Sequence, residues 1–152
     1  MTKSIAYCIL IVFAALVLAL SACSPSILSD GNAFLRGFVN QEFIAMQAVV
    51  LSITLGSIAQ LHVTFNDIER RYRRRGLAKT KAGVRSAAYW LIGLFVAALV
   101  LVVCKPLLSQ AAWAQSLFNG AALFILIWNV LVMTSIVETT LGIEPDHFEV
   151  EE

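Results

Sequence analysis

Apolar residues in this chain gather into four long runs, separated by short polar stretches. The first run extends from Ile5 to about Ala22 and contains no charge. The second, Phe43 to about Thr64, is the most polar, with Gln47, Ser52, Thr54, Ser57, Gln60 and His62 set among its apolar residues. The third, Ala87 to Cys104, carries no charge, is dominated by Leu, Val and Ala, and meets Lys105-Pro106. The fourth, Leu117 to Val137, is interrupted only by Asn119, Asn129, Thr134 and Ser135. A helix needs about 20 mostly apolar residues to cross a bilayer core. The pattern therefore predicts an all-α polytopic membrane protein: a four-helix transmembrane bundle over residues 1–141, with spans at 5–22, 43–64, 87–104 and 117–137, then a tail over 142–152.

The second helix should outrun the membrane. No proline falls between Pro25 and Pro106, and the pattern continues past Thr64 to the arginines before Gly76, which suit a helix C-terminus. A helix from Asn40 to Arg75 would be roughly 54 Å long at 1.5 Å per residue. The hydrocarbon core is only about 30 Å thick, so several turns should project into the cytoplasm.

Composition agrees with this class: 59 % hydrophobic and 14 % charged, with mean hydropathy +0.82. The net charge of +1 conceals segregation. Eight of the eleven Lys and Arg lie between Arg70 and Arg85, and six of the ten Asp and Glu lie between Glu138 and Glu152. Basic loops stay on the cytoplasmic side. The opposite loops carry only Arg36 and Lys105. Both termini are then cytoplasmic, with the chain expected in a bacterial inner membrane. The second span is assigned by its place in this charge pattern as much as by its hydrophobicity.

Leu20-Ser21-Ala22-Cys23 resembles the lipobox of bacterial lipoprotein signal peptides, and Lys3, the apolar run and Ser24-Pro25-Ser26 fit that resemblance. It implies an alternative form in which Cys23 is acylated and three spans remain. The first run is longer than the 7 to 15 apolar residues usual for a signal peptide. The three cysteines, Cys8, Cys23 and Cys104, have no metal-type spacing.

Polar residues inside spans are the default functional candidates, though most serve as glue between helices. Asn40, Gln47, Thr54, Ser57 and Thr64 form a slowly drifting stripe on the second helix. They are expected to make an interhelical seam or, alternatively, to line a pore shared between subunits. Ser52 with Gly56, and Gly93 with Ala97, are expected to allow close backbone approach. Glu42 suits a helix N-terminus, or an ion-attracting ring in an oligomer. His62 could donate to a neighbouring helix. Asn129 needs a buried partner, for which Gln47 or Thr54 is the expectation.

The basic stretch Arg70, Arg71, Arg73, Arg74, Arg75, Lys79, Lys81 and Arg85 forms a cytoplasmic platform for anionic lipid headgroups or for the acidic tail. A single nearby aromatic, Tyr72, disfavours nucleic acid as a partner. No phosphate loop, metal-ligand spacing or nucleophile–base pair occurs, so neither an enzyme nor a cofactor is expected. Broken inverted repeats are absent, which disfavours a transporter. The expected role is a small membrane subunit that oligomerises or joins a complex and recruits or regulates a cytoplasmic protein partner. The alternative is a homo-oligomeric channel or membrane-perturbing effector.

Overall fold

The computed structural model describes residues 3–72, 78–108 and 111–141, and these are helical apart from short connections. The elements are α1 (Lys3–Cys23), α2 (Pro25–Leu28), α3 (Ala33–Phe38), α4 (Gln41–Tyr72), α5 (Ala78–Leu108) and α6 (Ala112–Leu141). Helices α1, α4, α5 and α6 are each long and apolar enough to cross a membrane.

Local chemistry explains the short elements between α1 and α4. Pro25 sits in the first turn of α2, where its missing N–H costs nothing. The Asn32 side chain accepts from the Phe34 N–H and starts α3. Asn40 does the same for α4, its Oδ1 accepting from the Glu42 N–H at 2.9 Å. Asn40 thus leaves the expected stripe and becomes a cap.

Two boundaries differ from the expectation. Helix α5 does not stop at Cys104 but continues through Lys105 and Pro106 to Leu108. Pro106 removes one hydrogen bond only, and it lies close enough to the helix end that few later turns are disturbed. Helix α6 begins at Ala112, before the apolar run at Leu117. Helix α4 is described to Tyr72. Arg73, Arg74, Arg75 and the 142–152 tail lie outside the described residues.

The long helices pack in the order α1, α6, α5, α4, each against the next, while α2 lies on α6 and α3 on α4. Hydrogen bonds and ring contacts set antiparallel directions: Ser21 meets Ser116, Trp90 meets Trp128, and Lys81 meets Asn66. Helices α2 and α3 therefore close one end of the bundle, called here the capped end. The hairpin end carries the α4–α5 connection. Val17, Val39, Phe43, Leu94, Ala98 and Ala122 contribute to a continuous apolar core.

The close helix approach occurs at Gly120. A Cβ there would lie 2.3 Å from Val17 Cγ1, so only glycine lets α1 and α6 come this near. The two expected close-packing pairs do not pack within the protomer. A Cβ on Gly56 or Gly93 would meet nothing within 4 Å, and Ser52 and Ala97 are likewise exposed. Ser52 and Gly56 face outward because the buried strip of α4 follows Phe43, Gln47, Thr54 and Phe65, on the opposite side of that helix. Gly93 and Ala97 lie off the buried strip of α5, which follows Leu91, Leu94, Ala98 and Leu101.

Candidate functional site

The most elaborate polar arrangement lies at the capped end. Lys105 Nζ donates to Asp30 Oδ1 at 2.8 Å and to the Val39 carbonyl at 3.4 Å. Asn119 Nδ2 donates to the Leu28 carbonyl at 2.7 Å and to the same Asp30 oxygen at 3.0 Å. Gln115 Oε1 accepts from the Asp30 N–H. Three parts of the chain, the α2–α3 connection, α5 and α6, thus meet on one carboxylate.

The Lys105 side chain is 8 % exposed and that of Asp30 is 24 % exposed. Burial alone would raise the Asp30 pKa. The hydrogen bonds from Lys105 and Asn119, then the positive charges of Lys105 and Arg36, outweigh it and hold the carboxyl below its ordinary value of 3.8. The carboxylate therefore stays ionised near neutral pH and neutralises the buried ammonium. Asn119 is fully buried, and its Oδ1 finds no partner among the described residues.

Sequence pattern assigned Lys105 to a loop and did not single out Asp30 or Asn119. A lysine interrupting the apolar run directly before proline was the available signal. Its partner could not be read, because Asp30 lies in a connection whose path is set by how α2 packs.

A second polar contact lies deeper in the bundle. Asn129 Nδ2 donates to Gln47 Oε1 at 2.7 Å, with both residues buried. Gln47 Nε2 finds no partner among the described residues. This is one of the two contacts expected for Asn129. Beside it, Phe124 meets Trp128 edge-on and Trp90 lies tilted against the same ring.

The rest of the stripe divides between two environments. Thr54 is buried, yet its hydroxyl donates to the Val50 carbonyl of its own helix at 2.7 Å. Ser57 and Thr64 are exposed and donate likewise to Ile53 and Gln60. Ser52 donates to Ala48. Seven-residue spacing drifts around a straight helix of 3.6 residues per turn. The 3-residue step from Thr54 to Ser57 then carries the stripe off the buried side. Among the described residues, Gln47 and Asn129 are the members of this set that a side-chain hydrogen bond joins across two helices. Glu42 and His62 are exposed.

At the hairpin end, Lys81 Nζ donates to Glu69 Oε2 and to Asn66 Oδ1, at 2.5 and 2.7 Å. This joins the end of α4 to the start of α5. Arg70 and Arg85 are exposed. Lys81 is thus engaged within the bundle, leaving Arg70 and Arg85 as the described side chains that present positive charge outward. Arg71 and Lys79 lie in the helical backbone of α4 and α5.

These groups neutralise charge and bond helices together. Among the described residues, no three His, Cys, Asp or Glu side chains are grouped so as to hold a metal ion. An open groove of about 500 Å³ between α5 and α6, with Ala97, Leu101, Cys104 and Phe118 on its walls, is apolar. No family model, curated protein or solved structure matches this chain.

Proposed function

We propose that this chain is a multi-pass subunit of a bacterial inner membrane that works by assembly, with its basic hairpin end offered to a protein partner in the cytoplasm. The observation carrying this reading is the continuity of α4. Its apolar, span-length segment is Gln41–Asp67, yet the helix continues to Tyr72. At 32 residues it is roughly 48 Å long, well beyond a hydrocarbon core of about 30 Å. The contacts of Lys81 with Glu69 and Asn66 brace the projecting turns against α5. A braced basic end suits recognition of an acidic protein surface or of anionic headgroups, because less ordering is required on binding.

The exterior supports the membrane part of this reading. Ile11, Val12 and Leu18 of α1 are exposed, as are Val96, Val100 and Val103 of α5 and Val130 and Val137 of α6. So large an exposed apolar surface suits lipid rather than water. The basic stretch between α4 and α5 favours the cytoplasm for the hairpin end, with both termini on that side. Charge reversal at Arg73, Arg74 and Arg75 should abolish capture of a cytoplasmic protein from detergent extracts. Undiminished capture would sink the reading.

In this reading helix α1 is a retained span. Val17 fits against Gly120, and Ser116 donates to Ser21 at 2.9 Å in a buried position. These contacts favour a packed helix over a cleaved signal. Intact-protein mass spectrometry decides between the full chain and one beginning at an acylated Cys23.

The channel reading draws on the exposed hydroxyls of Ser57 and Thr64, which would line a pathway between copies. Their bonds to their own helix already satisfy them, which favours assembly over conduction. Currents from vesicles containing the protein that change with Ser57→Val would favour the channel instead.

A further inference from the structure

We propose that α4 pairs in parallel with α4 of a second copy of this chain, along Ala45, Val49, Ser52, Gly56, Ala59 and Val63. The inference deepens the assembly reading and rests on it, since a shared membrane orientation is what makes the pairing parallel.

All six residues are exposed, and their spacing alternates between four and three residues. That alternation is the seven-residue repeat by which two helices keep a common seam. Side-chain size separates this face from the other outward faces. Where α1 presents Ile11, Leu16 and Leu18 and α5 presents Tyr89, Ile92 and Leu107, the α4 strip has no side chain larger than valine. Small residues let two helix backbones approach closely within a bilayer. At Gly56 the protomer leaves the surface open, with nothing within 4 Å of an added Cβ.

The side chains flanking the strip select a second copy as the occupant. His62 lies on one flank of the seam and Asp67 on the other. Both are exposed, and neither has a side-chain partner among the described residues. In a parallel pair, a residue on the first flank meets the residue five positions later on the opposite flank of its neighbour. His62 therefore faces Asp67 of the second copy, and two-fold symmetry makes the contact twice. An imidazole N–H donates to a carboxylate oxygen, so the two side chains are complementary in hydrogen bonding. Gln60, exposed and also without a side-chain partner among the described residues, stands on the Asp67 flank. The seam ends at Val63, because Asn66 is engaged by Lys81 and Arg70 would oppose its own copy.

The test uses the full chain in lipid vesicles, with Cys8, Cys23 and Cys104 changed to serine. Ala45→Cys, Ser52→Cys and Ala59→Cys should each give disulfide-linked dimers on oxidation. Val130→Cys, on the outward face of α6, should not. Gly56→Ile adds bulk where the protomer has space, so the fold should survive while dimer yield falls about ten-fold, the loss of roughly 1.4 kcal/mol in association. Asp67→Lys should weaken the dimer, and His62→Glu combined with Asp67→Lys should restore it. A monomer in vesicles, equal crosslinking at Val130→Cys, or crosslinking only to a different protein would overturn the proposal. Loss of the dimer with partner capture intact overturns this inference alone. Loss of capture on charge reversal with an intact dimer confines the failure to neither, as it is the result the recruitment reading expects, whereas undiminished capture with an intact dimer overturns that reading alone.

Discussion

Lys105 Nζ lies 2.8 Å from Asp30 Oδ1, and this ion pair joins residues 75 positions apart in the chain. It fastens the connection above α2 and α3 to the end of α5. The two partners are unequally buried, and that inequality fixes the order of their mutational costs.

Asp30→Ala strands a buried ammonium and removes an acceptor of Asn119, so it should cost about 3 kcal/mol. Lys105→Met leaves a carboxylate that water can reach and that Asn119 still bonds, so it should cost less, about 1 to 2 kcal/mol. Thermal unfolding of both variants in detergent provides the comparison. A larger loss for Lys105→Met would contradict the burial argument.

Acid should weaken this latch. The Asp30 pKa is lowered in the folded protein, so the stabilisation is complete above the unfolded value of about 3.9. It is lost as pH falls through the still lower folded value. The stability gap between the parent protein and Asp30→Asn should hold from pH 7 to about pH 5 and narrow below about pH 4. A gap that closes between pH 7 and pH 5 would show that another group controls the pair.

At Gly120, substitution by alanine should force α1 and α6 apart, with a cost of about 2 kcal/mol. Val17→Ala removes Cγ1 and Cγ2 and leaves Cβ at 3.6 Å from the new methyl group. The double substitution should therefore recover part of the loss. Full additivity of the two single effects would mean that these residues do not touch.

The Gln47–Asn129 contact should behave as a coupled pair. Gln47→Leu leaves the Asn129 amide buried without its acceptor and should cost about 1 to 2 kcal/mol. Adding Asn129→Leu removes the orphaned amide and should restore most of the stability. A double-mutant cycle in detergent measures the coupling, and a value indistinguishable from zero would contradict the observed bond.

Four long apolar helices were legible in the sequence because length and uninterrupted hydrophobicity are local properties. The caps at Asn32 and Asn40 are equally local in mechanism, and Asn40 reads in the sequence both as the first residue of the long helix and as a member of the stripe. The Asn129–Gln47 contact was accessible as one of two expectations, since equal depth and the cost of an unpaired amide left few partners. Helix periodicity alone could not orient α4. Its most apolar residues do not mark one side clearly, so the stripe could run along a buried face or leave it. Packing against α5 and the bond from Asn129 of α6 decided the matter, with Gln47 and Thr54 buried and Ser52, Gly56 and Ser57 turned outward.

Local hydropathy along the chain already sets how many helices are long enough to span a bilayer, and the basic residues concentrate between the second and third of them. Tertiary structure alone decided that Lys105 is a buried helical residue paired with Asp30, that Gly120 rather than Gly56 or Gly93 receives a neighbouring helix, and that α4 keeps a small-residue face uncovered. The physical reason is one of range. Helix formation depends on residues within a few turns, whereas which polar groups meet and which faces are buried depends on the choice of neighbours among distant segments.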